Sequence, residues 1–103
     1  MMRCEILSIE DCPNGADAVC RFEEALAAEG HEAEVEHRVM RTAEDAAGTA
    51  FAGSPTMTVN GQDLFPSAVP VDGLACRIYV TASGLAGLPT IDQIRAAIAD
   101  RGR

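Results

Sequence analysis

The residues best suited to chemistry in this chain are its four cysteines, and Cys12 has the most distinctive surroundings. Cys12 and Pro13 stand where a run of apolar residues ends and a helical pattern begins. The first N–H groups of a helix have no partner within the helix, and they favour a thiolate. Because Pro is common at the first helical position, we predict that Cys12 is the N-cap and the most reactive of the four thiols.

Geometry leaves one of the other three cysteines as a partner for Cys12. Cys20 is eight residues further along the same helix, which is about 12 Å at a rise of about 1.5 Å per residue. A disulfide needs Cα atoms within about 7 Å. Cys4 is excluded in the same way by five strand steps of about 3.3 Å. Both are interpreted as small buried hydrophobes, and Cys76 is either a working partner or an inert strand cysteine.

Arg77 and the two histidines are the other residues that could take part in binding. Arg77, beside Cys76, either steadies a thiolate or a bound anion, or is a solvated residue at a sheet edge. The spacings of the cysteines match no zinc pattern, and His31 and His37 are not at ligand intervals from any of them. We therefore expect no metal and no cofactor, and we interpret His37 as a half-buried strand residue.

Composition limits the class of protein. A length of 103 residues indicates a single domain, 1–103, and 48% hydrophobic with 23% charged residues is typical of a soluble protein. The net charge of −8 repels phosphate backbones and anionic lipids, so neither nucleic acid nor a membrane is an expected partner. Arg3 and Glu5 interrupt the first apolar residues, so we expect no signal peptide and a cytoplasmic protein with free thiols.

The pattern along the chain predicts an α/β fold of order βαβαββα. We expect a four-stranded mixed sheet flanked by three helices, with the first strand central and parallel to the second. The turn pair Asn60-Gly61 predicts that the last two strands are antiparallel, with a long loop over residues 62–73 between them. The predicted strands cover residues 3–9, 31–39, 54–61 and 74–81, and the helices run from 15 to about 30, from 42 to about 53 and from 90 to 103.

This order, with Cys12-Pro13 before the first helix and Ser54-Pro55-Thr56 opening the third strand, resembles the thioredoxin-like superfamily. The resemblance covers nearly the whole chain in element order. It implies that the Ser54-Pro55 peptide bond is cis and that Pro55 packs beside the thiol of Cys12. We accordingly expect that substrate is bound by Pro13, Ser54, Pro55, Thr56 and Arg77.

The chain also departs from the pattern of that superfamily. Many members carry a second cysteine three residues after the first, where this sequence has Gly15. What remains is similar to a monothiol branch, or to a protein whose second thiol lies elsewhere. The segment "GLACRIY", 73–79, is similar to one in small actinobacterial-type proteins labelled thioredoxin family or organomercurial-lyase-like.

Three functions are compatible with these residues. In the leading hypothesis Cys12 attacks a disulfide or soft electrophile of a protein or glutathione, and Cys76 or an external thiol resolves the mixed disulfide. In the second, Cys12 and Cys76 hold a soft metal ion or organometal, since thiolates select soft ions. In the third, the chain is a redox-inactive scaffold that retains the fold without the chemistry.

Overall fold

The computed structural model describes residues 2–66 and 73–101. Within them the chain forms an α/β fold with a four-stranded mixed sheet, a two-stranded hairpin and three helices. In chain order the elements are β1 (Cys4–Ile9), α1 (Gly15–Ala28), β2 (Val35–Met40), α2 (Ala43–Ala46), β3 (Thr56–Val59), β4 (Gln62–Asp63), β5 (Tyr79–Thr81), β6 (Gly84–Ala86) and α3 (Ile91–Arg101).

The four-stranded sheet has the order β2-β1-β3-β4, so the first strand is internal as predicted. β1 pairs in parallel with β2 and antiparallel with β3, and β3 pairs antiparallel with β4. Asn60 and Gly61 have φ angles of 53° and 80°, the left-handed conformation that a tight hairpin turn requires. The predicted parallel pair and the predicted turn are thus confirmed.

The predicted fourth strand, 74–81, is wrong. The strand that follows the Asn60-Gly61 turn is β4, which lies at the start of the predicted loop 62–73. A two-residue hairpin closes at once, so it forms in preference to pairing with a distant segment. Of the predicted strand only β5 is regular, and it pairs with β6 in the separate hairpin. Residues 67–72 of the predicted loop lie outside the described part of the chain.

The helices begin and end at residues with specific backbone roles. α1 is followed by Gly30, with φ of 80°, and the His31 N–H donates to the Leu26 carbonyl at 2.9 Å, which closes the helix as predicted. The predicted second helix is only the single turn α2, although the side chains of Thr42 and Asp45 form a capping box. The predicted capping box of α3 is confirmed, because the Gln93 N–H donates to Thr90 Oγ1 at 3.1 Å.

The apolar core fills one face of the four-stranded sheet, where β1 and β3 pack against α1 and α3. Its most buried large side chains are Ile6, Phe22, Leu26, Met57, Ile94 and Ile98. Cys4 belongs to this core as predicted, and burial raises the pKa of its thiol, against a lowering by the charge of Arg101. Cys20 is exposed on α1, so its interpretation as a buried hydrophobe is wrong.

The opposite face of the sheet is more polar. Glu5, Thr56 and Thr58 are buried there, and Glu5 is bound by Arg38 at 3.3 Å and by Arg3 at 3.6 Å. Buried carboxylates need such partners. Among residues 2–66 and 73–101, no helix combines the length and apolarity needed to cross a bilayer.

Candidate thiol site

Cys12 lies in a tight turn between β1 and α1 and is partly exposed. Its N–H donates to the Ile9 carbonyl at 3.3 Å, and its own carbonyl accepts from the Gly15 N–H at 3.3 Å. The N-cap is Asn14, so the predicted N-cap position of Cys12 is wrong. Because these two turns follow one another, the regular helix starts at Gly15, and Cys12 stands two residues before its N-cap.

The imidazole of His37 lies beside Gly15, the position at which many members of the superfamily have their second cysteine. A Cβ atom on Gly15 would stand 3.2 Å from Cε1 and 3.3 Å from Nε2 of His37. His37 is exposed rather than half-buried, and its Nε2 is 2.6 Å from Oγ of the buried Ser8. This hydrogen bond fixes the ring beside the start of α1. A larger residue at position 15 therefore has to displace His37, a contact that the helical pattern alone did not reveal.

The Ser54-Pro55 peptide bond is cis, as the resemblance implies. Ser54 Oγ accepts a hydrogen bond from the Ile9 N–H at 3.0 Å, which ties this bond to the strand end that precedes Cys12. Contact between Pro55 and Cys12 stays a prediction.

The residues expected to bind substrate differ in exposure. Pro13 is exposed, whereas Ser54, Pro55 and Thr56 are buried. Thr56 Oγ1 accepts from the Ala52 N–H at 3.0 Å and donates to the Gly53 carbonyl. The two buried hydroxyls, Oγ of Ser54 and Oγ1 of Thr56, are thus engaged within the chain and shape the loop around Pro55.

Cys76 lies directly against the residue that precedes Pro55. The Ser54 N–H donates to the Ala75 carbonyl at 2.8 Å, and the Arg77 N–H donates to the Ser54 carbonyl at 2.9 Å. These two bonds form an isolated parallel bridge between Ser54 and Cys76. Ser54 therefore bonds to both candidate segments, through its hydroxyl to Ile9, three residues before Cys12, and through its backbone to the two neighbours of Cys76. Both thiols are free, and that of Cys76 is exposed.

The side chain of Arg77 is buried, so its interpretation as a solvated edge residue is wrong. Its Nη1 and Nη2 donate to the two carboxylate oxygens of Asp63 at 3.1 and 2.9 Å, and Nη2 also donates to the Phe65 carbonyl at 2.8 Å. Burial lowers the pKa of Arg77, but the bonds and charge of Asp63, with Tyr79, outweigh it and raise the pKa overall. Substrate binding by Arg77 stays a prediction, and its guanidinium has no exposed surface.

Tyr79 completes the group of side chains that holds this segment. Its hydroxyl donates to the Pro55 carbonyl, and its ring lies 5.2 Å from Arg77 Cζ and packs edge-on against Phe65 at 5.5 Å. Burial raises the pKa of Tyr79 to about 12. We call Asp63, Phe65, Arg77 and Tyr79 the anchor cluster.

Strand-like alternation separates the anchored and exposed side chains of this segment. Arg77 and Tyr79 point inward, whereas Cys76, Ile78 and Val80 are exposed, the last two by 56% and 73%. The sequence predicted a strand here but not the partner of Arg77, because Asp63 lies fourteen residues earlier. Cys76 is thus followed at alternate positions by two exposed apolar side chains.

Known proteins offer no guide to this site. No family model matches the chain, and neither the curated proteins nor the solved structures contain a significant match. In the described ranges, 2–66 and 73–101, no three His, Cys, Asp or Glu side chains are grouped so that they could hold a metal ion.

Proposed function

We propose that this chain is a thioredoxin-like thiol protein in which Cys12 and Cys76 take part in thiol–disulfide exchange. The observation that supports this most is the bridge between Ser54 and Cys76. It holds an exposed thiol beside the cis bond to Pro55, and the Ser54 hydroxyl connects the same loop to the turn that carries Cys12. Ser54 is thus bonded to Ile9, three residues before Cys12, and to both neighbours of Cys76.

The exchange proceeds in two balanced steps. The thiolate of Cys12 attacks one sulfur of a partner disulfide, so the partner S–S bond breaks and its other sulfur leaves as a thiolate. The thiolate of Cys76 then attacks the Cys12 sulfur, which forms the Cys12–Cys76 disulfide and releases the second thiolate of the partner. The partner gains two electrons and the protein loses two. A glutathione thiolate can attack the Cys12 sulfur instead of Cys76, which releases the partner thiolate and leaves glutathione on Cys12, and a second glutathione then frees Cys12 and forms glutathione disulfide. Two glutathione molecules reduce the Cys12–Cys76 disulfide in the same way and are oxidised to glutathione disulfide.

The experiment is oxidation by glutathione disulfide, followed by intact mass and peptide mapping. We expect wild type to form the Cys12–Cys76 disulfide, and Cys76→Ser to accumulate one glutathione on Cys12. Cys12→Ser should form no internal disulfide. Cys20→Ser is the matched control, because Cys20 is exposed but distant in sequence from the Ser54 bridge, and it should behave as wild type.

Two outcomes contradict the proposal. If Cys12 reacts no faster than Cys20, or if Cys76→Ser carries no adduct at Cys12, then the exchange reaction is excluded. Retention of one equivalent of a soft metal ion by the reduced protein, lost in both Cys12→Ser and Cys76→Ser, would then favour the thiophilic binding module. Neither reaction nor retention would favour the redox-inactive scaffold.

A further inference from the structure

We infer that Asp63 and Arg77 are positioning residues for Cys76, an inference that rests on the function proposed above. The side chain of Cys76 is exposed. Its location is set by its two neighbours, whose backbone groups are bonded to Ser54. Of these two neighbours, Arg77 also extends a side chain into the interior and binds Asp63 there.

The position of Asp63 explains why this contact matters. Asp63 belongs to β4, at the edge of the four-stranded sheet, whereas Cys76 lies just before β5, in the separate hairpin. The ion pair therefore joins the segment that carries Cys76 and Arg77 to the four-stranded sheet. Gly53 adds a second constraint, since a Cβ atom there would stand 2.7 Å from Arg77 Cβ. The backbone of Arg77 is thus fixed beside Gly53 and Ser54, and its side chain is fixed by Asp63.

An ion pair is suited to this purpose because of its directionality. A buried ion pair adds little stability over an apolar pair of the same volume, since both charges lose their hydration. The planar guanidinium binds a carboxylate through two parallel hydrogen bonds, and this fixes orientation as well as distance. We conclude that the pair serves to locate Cys76 relative to the Ser54-Pro55 bond.

Accurate location raises the effective concentration of one thiol at the other. The equilibrium constant of the Cys12–Cys76 disulfide in a glutathione redox buffer measures this quantity. We expect Asp63→Asn to lower this constant by about tenfold or more, since a misplaced reacting group can cost about a hundredfold. Arg77→Lys keeps the charge but loses the bidentate geometry, so its constant should fall between those of Asp63→Asn and wild type.

Glu29→Gln is the matched control. It removes the exposed ion pair between Glu29 and Arg95, whose atoms are 2.9 Å apart, and should leave the constant unchanged.

A second readout separates positioning from general loss of structure. In a Cys76→Ser background, Asp63→Asn should not change the rate at which Cys12 forms its glutathione adduct. All variants are compared under conditions where circular dichroism shows them folded. If Asp63→Asn does not fold, Tyr79→Phe replaces it. It removes the hydroxyl bond to Pro55 and the hydrogen bond between the Tyr79 and Arg77 side chains but keeps the Asp63–Arg77 pair, so a smaller fall is expected.

The outcomes are distinguishable. This inference alone is overturned if the equilibrium constant of the Cys12–Cys76 disulfide is the same in wild type and in the anchor-cluster variants. It is also overturned if Asp63→Asn slows formation of the glutathione adduct at Cys12 as much as it lowers that constant. If wild type forms no Cys12–Cys76 disulfide but carries glutathione on Cys12, this inference is overturned and the exchange function of Cys12 stands. If Cys76→Ser also carries no adduct at Cys12, the proposed function is overturned as well. A lowered constant with an unchanged rate at Cys12 supports both.

Discussion

The two candidate thiols are held in opposite ways. Cys12 lies in a turn fixed by two backbone hydrogen bonds of 3.3 Å, both to residues three positions away, and its neighbours Asp11 and Pro13 are exposed. Cys76 stands beside a buried arginine whose partners lie in distant parts of the sequence. The backbone bonds of Cys12 itself are therefore local, whereas those on both sides of Cys76 are long-range. Substitutions around Cys76 should cost much more stability than those around Cys12.

The largest effect should follow Gly53→Ala. Gly53 has φ of 120°, and the new Cβ would meet Arg77 Cβ at 2.7 Å. Backbone strain and overpacking together should lower the free energy of unfolding by about 4 kcal/mol, as measured by urea titration. Gly48→Ala is the control, because φ is 77° there but nothing lies within 4 Å of the added atom, so only the strain remains. Equal losses in the two variants would show that the contact with Arg77 contributes nothing.

A smaller effect should appear at alkaline pH. Burial raises the pKa of Tyr79 from 10.0 to about 12, so the folded protein favours the neutral phenol. This contribution is complete below pH 10 and is lost as the pH rises through 12. The loss should reach about 2 to 3 kcal/mol of unfolding free energy. Urea titrations between these pH values measure it, and Tyr79→Phe should lack this part of the decline. An identical decline in that variant would assign the loss to other groups.

The smallest effect should come from the turn that carries Cys12. Glu10→Gln removes an ion pair with Arg41 of 3.4 Å, in which both side chains are more than half exposed. Such pairs contribute little, so the free energy of unfolding should change by less than about 0.5 kcal/mol. The same urea titration measures it. A loss comparable to that of Gly53→Ala would remove the contrast between the two segments.

Local sequence patterns predicted what depends on near neighbours. The Asn60-Gly61 turn, the capping box of Thr90 and Gln93, and the parallel pairing of β1 with β2 follow from residues close in sequence or from the helix between the strands. The cis bond at Pro55 came from the resemblance of Ser54-Pro55-Thr56 to a known motif. None of these required knowledge of a distant partner.

What could not be predicted depends on distant partners. An arginine between Cys76 and Ile78 gives no sign that a carboxylate on another strand will bind it, so its burial was missed. The predicted strand over 74–81 does alternate between buried and exposed residues, but this reflects the burial of Arg77 and Tyr79 rather than membership of the four-stranded sheet. Cys20 occupies a position on α1 that the helical pattern did not distinguish from the core. The N-cap was misplaced by two residues because consecutive turns precede the helix.

Tyr79 is the only tyrosine of the chain, which has no tryptophan. Its hydroxyl is bonded to Pro55 and its ring lies against Arg77, so the one phenol chromophore belongs to the anchor cluster beside the candidate site. Intrinsic tyrosine fluorescence therefore reports on the surroundings of Tyr79 alone. A partner that displaces the segment carrying Cys76 changes the surroundings of that fluorophore, and the unmodified protein gives an optical signal of the event without an introduced dye.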